Sequence, residues 1–466
     1  MKKVLFFLFL AGMLSSCSDD PDNSAFPEPA IDPVSEYAIS PESALDNLEL
    51  FLGTLQSIGG ETRAGLFGRR VASILPLKTV SARTRSASAS GVENLLYLVA
   101  FEDGQGSAIL GADTRVNPVY AVLDETVLTP EDFESKNFDL RDSTGHAGDG
   151  DEEIRIKDFL VKIILDDVSG NLDKPADPLP GNGGGIDIGG DWGDPTPAPK
   201  YRTAIINKTT QAPLLETKWD QWAPYNDQCD WNSTHTRRCP AGCTNIAVGQ
   251  ILTYNQSGAA ISIAGDSFSW SLINECKYGS YPSAGARNEV ARFIHALGVW
   301  MGTTYSDLAS NTYVSKVSGV LNQSGLRNVN LITYTKNAGK NMVCTKKAPF
   351  FVHGVHAPNV TSGHHWVIDG WNEYTKQSWM TTYGPNNQVN PEVLLSEEYY
   401  CLVHCNFGWG GKCDGYYWYD LFDTTKRLDS DKIDTGAGDY AGSNGSADYK
   451  FAYNFKMVVY DKEMIL

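Results

Sequence analysis

Apolar residues fall at helical spacing between Pro41 and Leu55 (Ala44, Leu45, Leu48, Leu50, Phe51, Leu52, Leu55). That spacing gathers them on one face and predicts an α-helix. The pattern then changes. Asn94 to Phe101 is a β-rich run, the turn residues Asp103, Gly104, Gln105 and Gly106 follow, and Ser107 to Gly111 is apolar again, which predicts a β-hairpin. Val119 to Leu123 reads as a third short strand and Ile154 to Ile164 as a helix, so 41–173 is expected to be a small α+β domain. Residues 174–200 are rich in Gly, Pro and Asp and cannot bury enough apolar surface to offset their ordering entropy. They read as a linker open to proteolytic cutting. A second domain, 201–466, holds most of the tryptophans.

Two stretches of that domain carry candidate chemistry. After Gly242, the residues Ile246, Gln250 and Ile251 fall at helical spacing with Ala247 beside them, so a turn opens into a buried helix with Cys243 in its first turn. Unpaired N–H groups and the helix dipole favour a thiolate there and could hold an oxyanion. A buried, inert cysteine at a helix start is the alternative. Downstream, Ser362 to Trp371 (Ser-Gly-His-His-Trp-Val-Ile-Asp-Gly-Trp) reads as a short strand bounded by glycines. Neighbouring side chains of a strand face opposite ways, so only one of His364 and His365 can face the cysteine. A histidine there would take the thiol proton and later protonate the leaving amine. His404-Cys405-Asn406-Phe407-Gly408-Trp409-Gly410-Gly411 then supplies an asparagine able to fix a histidine tautomer, and aromatics able to exclude water. Nucleophile, base and orienter follow in the chain order of a Cys-His-Asn triad.

Charge sharpens the division. The chain has 466 residues and a formal net charge of −18. Residues 1–200 hold 33 acidic against 16 basic side chains, and 201–466 hold 23 against 22. No basic face is left for phosphates, so no nucleic-acid partner is expected. The N-terminus places the chain outside the cytoplasm. Lys2 and Lys3 precede the short apolar run Val4 to Met13, which is too short to span a bilayer. It ends in Leu14-Ser15-Ser16-Cys17, which resembles a bacterial lipobox. The expected organisation is a signal peptide (1–16), a lipidated Cys17, and a flexible tether (17–40). The expected location is the outer membrane or cell surface, with release on cleavage. Eight further cysteines remain (229, 239, 243, 276, 344, 401, 405 and 413), and Cys229–Cys239 is a plausible local bridge. Cys401, His404, Cys405 and Cys413 lie close together but lack the paired spacing of structural zinc sites, so neither metal nor cofactor is expected.

Ala-Gly-Cys-Thr-Asn-Ile-Ala-Val-Gly-Gln-Ile (241–251), Gly-His-His-Trp-Val-Ile-Asp-Gly (363–370) and Asn-Phe-Gly-Trp-Gly-Gly (406–411) together resemble the streptopain family of papain-fold cysteine proteases. Trp219 to Asn226 resembles that family's mature N-terminal segment. The resemblance implies an α+β catalytic domain over 201–466, a helical part plus an antiparallel sheet part. It implies Cys243 as nucleophile, His364 (directly after Gly363) as base, Asn406 as orienter, Trp409 as aromatic shield and Gln221 as oxyanion donor. It implies protein or peptide substrates, and a pro-domain (41–173) that inhibits its own enzyme. Phe407 departs from the family's usual Trp and loses an indole donor. The other readings are a surface adhesion lipoprotein and a papain-fold amidase acting on cell-wall peptides.

Overall fold

The computed structural model describes residues 37–56, 69–78, 94–133, 197–422 and 453–462, apart from short interior gaps at 235, 256–261, 264, 280–282, 307–309 and 356–362. It also describes separate positions of a helical stretch between 157 and 171. The signal peptide, Cys17 and most of the linker 174–200 lie outside the described residues. Residues 36–466 form one compact unit.

The first helix, α1 (Pro41–Gln56), starts where its sequence says it should. Ser40 precedes it and its Oγ accepts from Ser43 N, while Pro41 fills the first position, where a missing N–H costs nothing. Its apolar stripe is buried at Ala44, Leu48, Phe51 and Leu55. Four strands follow: β1 (Val71–Lys78), β2 (Asn94–Phe101), β3 (Ser107–Gly111) and β4 (Val119–Leu123). The predicted hairpin is β2–β3, in antiparallel register from Leu96↔Gly111 to Ala100↔Ser107.

Beyond the linker, β5 (Lys200–Gln211) leads to α2 (Cys243–Asn255), α3 (Trp270–Glu275), α4 (Ala284–Met301) and α5 (Ser315–Gln323). Then come β6 (Arg327–Thr333), α6 (Lys336–Lys340), β7 (Phe350–Val355), β8 (Gly363–Thr381), β9 (Val393–Asn406), β10 (Gly415–Trp418) and β11 (Tyr453–Asp461). The expected helical part and antiparallel sheet part are both present. No described helix is long and apolar enough to cross a membrane.

The sheet is continuous across the two regions that the charge pattern separates. Its order is β1-β2-β3-β4-β10-β9-β8-β7-β11-β6, with β5 added against β8, and every pairing is antiparallel. The junction is β4 against β10, where Leu123, Val122 and Ala121 pair with Gly415, Tyr416 and Tyr417. Gly415 makes that approach fit, because a Cβ there would stand 2.4 Å from the Val122 carbonyl oxygen. Helix α1 lies on the same sheet. Phe51 meets the Tyr416 ring edge-on at 5.5 Å, Asn372 Nδ2 donates to Thr54 Oγ1, and Tyr400 and Lys376 both donate to Asn47 Oδ1. The N-terminal segment is therefore tied to the part from Lys200 onward by sheet hydrogen bonds, buried aromatics and side-chain amides together.

Strand β8 explains how one strand serves three neighbours. Its first half pairs with β7 (Val355↔Gly363 to Phe350↔Ile368) and its second half with β5 on the same edge (Gln211↔Trp371 to Lys200↔Thr381). Strand β9 runs along the other edge. The chain that follows the linker is thus anchored from Lys200 onward.

Candidate active site

Helix α2 begins at Cys243 and is buried from Thr244 to Thr253. Gly242 turns the chain into it with φ +93°, and a side chain there would press on Ser310, whose O would stand 3.1 Å from the new Cβ. Only glycine meets both demands without strain. Ser310 Oγ in turn donates to the Pro240 carbonyl, which fixes the turn from the other side. Ala241 N donates to the Gln221 carbonyl at 2.8 Å, so Gln221, buried, lies beside the Cys243 turn, where the oxyanion role was expected.

Across from α2 stands the start of β8. The cross-strand register decides which histidine faces the helix. His353 on β7 is directly opposite His365, and Gly354 is directly opposite His364. Partners in a pair share a face of the sheet. One face carries His353, His365, Val367 and, across from Val367, Asn406. The other carries Gly354, His364 and Trp366, where a Cβ on Gly354 would press on Phe455 and Trp366. The first face meets α2.

Accordingly, Cys243 Sγ lies 3.5 Å from Nδ1 of His365, not beside His364 as expected. Thr244 Oγ1 is closer still to that nitrogen, at 2.6 Å, and the far nitrogen of His365 is 2.6 Å from Nδ1 of His353, the two rings stacked at 4.8 Å. His364 turns to the aromatic side. Its Nε2 is 3.3 Å from the Phe407 carbonyl oxygen, and its ring meets Trp409 at 4.7 Å and Phe407 at 6.0 Å.

Asn406 is not brought to either ring. Its Oδ1 accepts from Gln250 Nε2 (2.9 Å) and Gly408 N (3.1 Å), and its Nδ2 donates to the Thr217 carbonyl (2.8 Å). In this state it joins α2, the loop after β9 and the segment before Trp219, rather than orienting an imidazole.

The electrostatics of the pair are those of a resting thiol. Burial pushes the Cys243 thiol up to about 11, outweighing the hydrogen bonds from the His365 and Thr244 backbones that lower it. This reverses the expected lowering at a helix N-terminus, because desolvation penalises the thiolate more than the helix end favours it. Burial also holds His365 well below the usual imidazole range, with His353 and His364 adding to that effect. His353 itself is lowered to about 4, mainly by burial and then by Lys456. The expected Cys229–Cys239 bridge is not made: Cys229 is a buried thiol pushed up to about 12 by desolvation.

Residues 219–417, which hold Cys243, both histidines and Asn406, match the model of the Peptidase C10 family. This segment is a Peptidase C10 domain. Its chemistry is that of a cysteine-type peptidase. No curated protein matches the chain. Among solved structures it is similar to a mutant prointerpain A fragment of Prevotella intermedia, at 18% identity and TM-score 0.44, covering 78% of this chain and 94% of that one. It is also similar to active wild-type interpain A cysteine protease of the same organism, at 21% identity and TM-score 0.35, covering 53% and 94%.

Within the Peptidase C10 domain, the residues that sequence reasoning passed over are Thr244 and His353. His353 sits among the apolar residues Phe350 to Val355. A polar residue in a buried strand is the one local signal that could have marked it.

Proposed function

We propose that the chain is the precursor of an exported cysteine endopeptidase, anchored through a lipidated Cys17 and kept latent by residues 41–173. Cys243 is the nucleophile. Its thiolate attacks a peptide carbonyl, a histidine base carries the thiol proton to the leaving amine, and water releases the acyl-enzyme. In this reading the N–H groups at the start of α2 and the side chain of Gln221, whose backbone carbonyl accepts from Ala241 N, receive the oxyanion.

One observation carries the reading. A cysteine at the first residue of a buried helix faces an imidazole at 3.5 Å, yet the thiol is raised and the imidazole lowered, so neither is charged. In this reading His365 holds the thiol in a neutral pair, and the thiolate–imidazolium couple forms only on activation. Latency also fits the way α1 and β4 are built into the catalytic sheet.

For the base, we propose His364, as the family resemblance implies. Its ring rests on Trp409, the expected shield, and it is half-buried, whereas His365 has both nitrogens engaged by Thr244 and His353. The 3.5 Å contact favours a second reading, in which His365 is itself the base. Casein hydrolysis by the activated enzyme tests the function. Turnover of casein that is lost in Cys243→Ala supports an endopeptidase, while turnover of cell-wall peptides alone makes the domain an amidase.

A further inference from the structure

His404, on β9, is a fully buried imidazole for which the catalytic scheme has no use. Its Nδ1 lies 2.6 Å from Asp369 Oδ1, on β8 in the catalytic part. Its Nε2 lies 3.2 Å from Asp124 Oδ2, one residue after β4 in the N-terminal segment. A carboxylate only accepts hydrogen bonds, so the form of the ring that serves both partners is the imidazolium. The surroundings hold each partner in place. Asp369 Oδ2 accepts from Leu215 N, Asp124 N donates to the Asp414 carbonyl, and Arg69 donates to the carbonyls of Leu123 and Asp124.

We propose that the Asp369–His404 pair is a carboxylate-binding site of the catalytic part, filled in this precursor by Asp124, and that docking of the N-terminal segment is therefore linked to a proton. The proposal rests on the reading of residues 41–173 as a segment that leaves.

The direction follows from the neighbours. Burial alone would lower His404, but Asp369 and Asp124 outweigh it and raise the ring to about 9. Cys405 near Asp369 and Tyr417 near Asp124 are both buried and raised well above their ordinary values, so both stay neutral here. Tyr416 of β10 meets the ring edge-on at 5.1 Å, and Asp414 is held by Phe407 N. Arg69 and the Glu125–Lys218 ion pair lie beyond Asp124, and Tyr254, itself raised, lies beyond Asp369. Undocking removes Asp124 while Asp369 and Tyr416, which bury the ring from its own side, stay in place; with that burial kept, losing Asp124 gives the undocked ring the lower pKa. Docking is then strongest below that lower value and is lost as pH rises through about 9. Above it, Asp124 and Asp369 would face each other across a neutral ring. The vacated site would take the carboxylate of another acidic peptide by the same chemistry.

The test uses the full-length Cys243→Ala chain, so its outcome does not depend on peptidase activity. Hydrogen-exchange protection of Val119–Leu123, corrected for the intrinsic rate, is measured from pH 7 to pH 10. We expect protection to fall across this range, by about tenfold for each unit by which the docked pKa exceeds the undocked one. Asp124→Asn should start lower at pH 7 and be nearly flat, whereas Glu125→Gln, which breaks the adjacent ion pair, should keep the slope. A flat parent profile, or an unchanged slope in Asp124→Asn, overturns the proposal. So does an NMR titration of His404 in the parent with its midpoint below about 7, a reading that needs no further variant.

Discussion

Cys243 and His365 meet at 3.5 Å without forming an ion pair, because the desolvation that raises the thiol also lowers the imidazole. The precursor thiol should therefore be chemically quiet. A shift from the ordinary value of 9.0 to about 11 cuts the thiolate fraction at neutral pH about a hundredfold. Iodoacetamide labelling of the intact precursor, read by peptide mapping, should modify Cys243 about a hundred times more slowly than an unfolded-chain cysteine. Labelling at the ordinary rate would show a thiolate already present.

The two histidines separate by mutation. With His364 as base, His364→Ala should lower kcat of the activated enzyme by about a thousandfold. His365→Ala should then cost far less in the activated enzyme and should speed Cys243 labelling in the precursor, since it removes the imidazole facing Sγ. The opposite order of kcat losses would assign the base to His365, with His353 as the group that fixes its tautomer.

Asn406 makes three hydrogen bonds that join separate parts of the domain, and none to an imidazole. Asn406→Ala leaves Gln250, Gly408 and Thr217 with buried polar atoms to satisfy. It should destabilise the inactive Cys243→Ala chain by about 2–4 kcal/mol in denaturant melts. An unchanged melt combined with a large drop in kcat would instead make Asn406 an orienter in the active form.

His353 is lowered to about 4 and His365 is lowered as well, so the folded site prefers both rings neutral while the unfolded chain protonates them near 6.5. A depressed histidine gives stability that is present above its unfolded value and lost as pH falls toward its folded value. Thermal melts of the precursor should therefore drop between about pH 6.5 and pH 4. His353→Asn should make that drop shallower, and an unaltered slope would rule His353 out as a source.

Much of the site was legible from local pattern. The turn at Gly242 opening into a buried helix is written in the spacing of Ile246, Gln250 and Ile251. Strand alternation also showed that only one of His364 and His365 could face Cys243. Which one does so depends on the register of β8 against β7, set by the pairing of His353 with His365 some twelve residues apart, and no period within the strand encodes it. The Asp124–His404 contact spans 280 residues and was wholly hidden. In the sequence His404 stood among cysteines, and its buried carboxylates became visible only once β4 had paired with β10. The lowered thiol pKa failed for a related reason. A helix start can be read locally, but the burial that outweighs it is a property of the folded whole.

The most direct test of the central claim is time-resolved mass spectrometry of the purified precursor, made without residues 1–17, beside its Cys243→Ala twin. The account predicts that the wild type shortens to a fragment beginning within 174–200, keeping β5 from Lys200 onward, while the twin stays whole. If both stay whole, trypsin is added as activator and casein hydrolysis is assayed. A processed wild-type enzyme with no more activity than its twin would contradict the account.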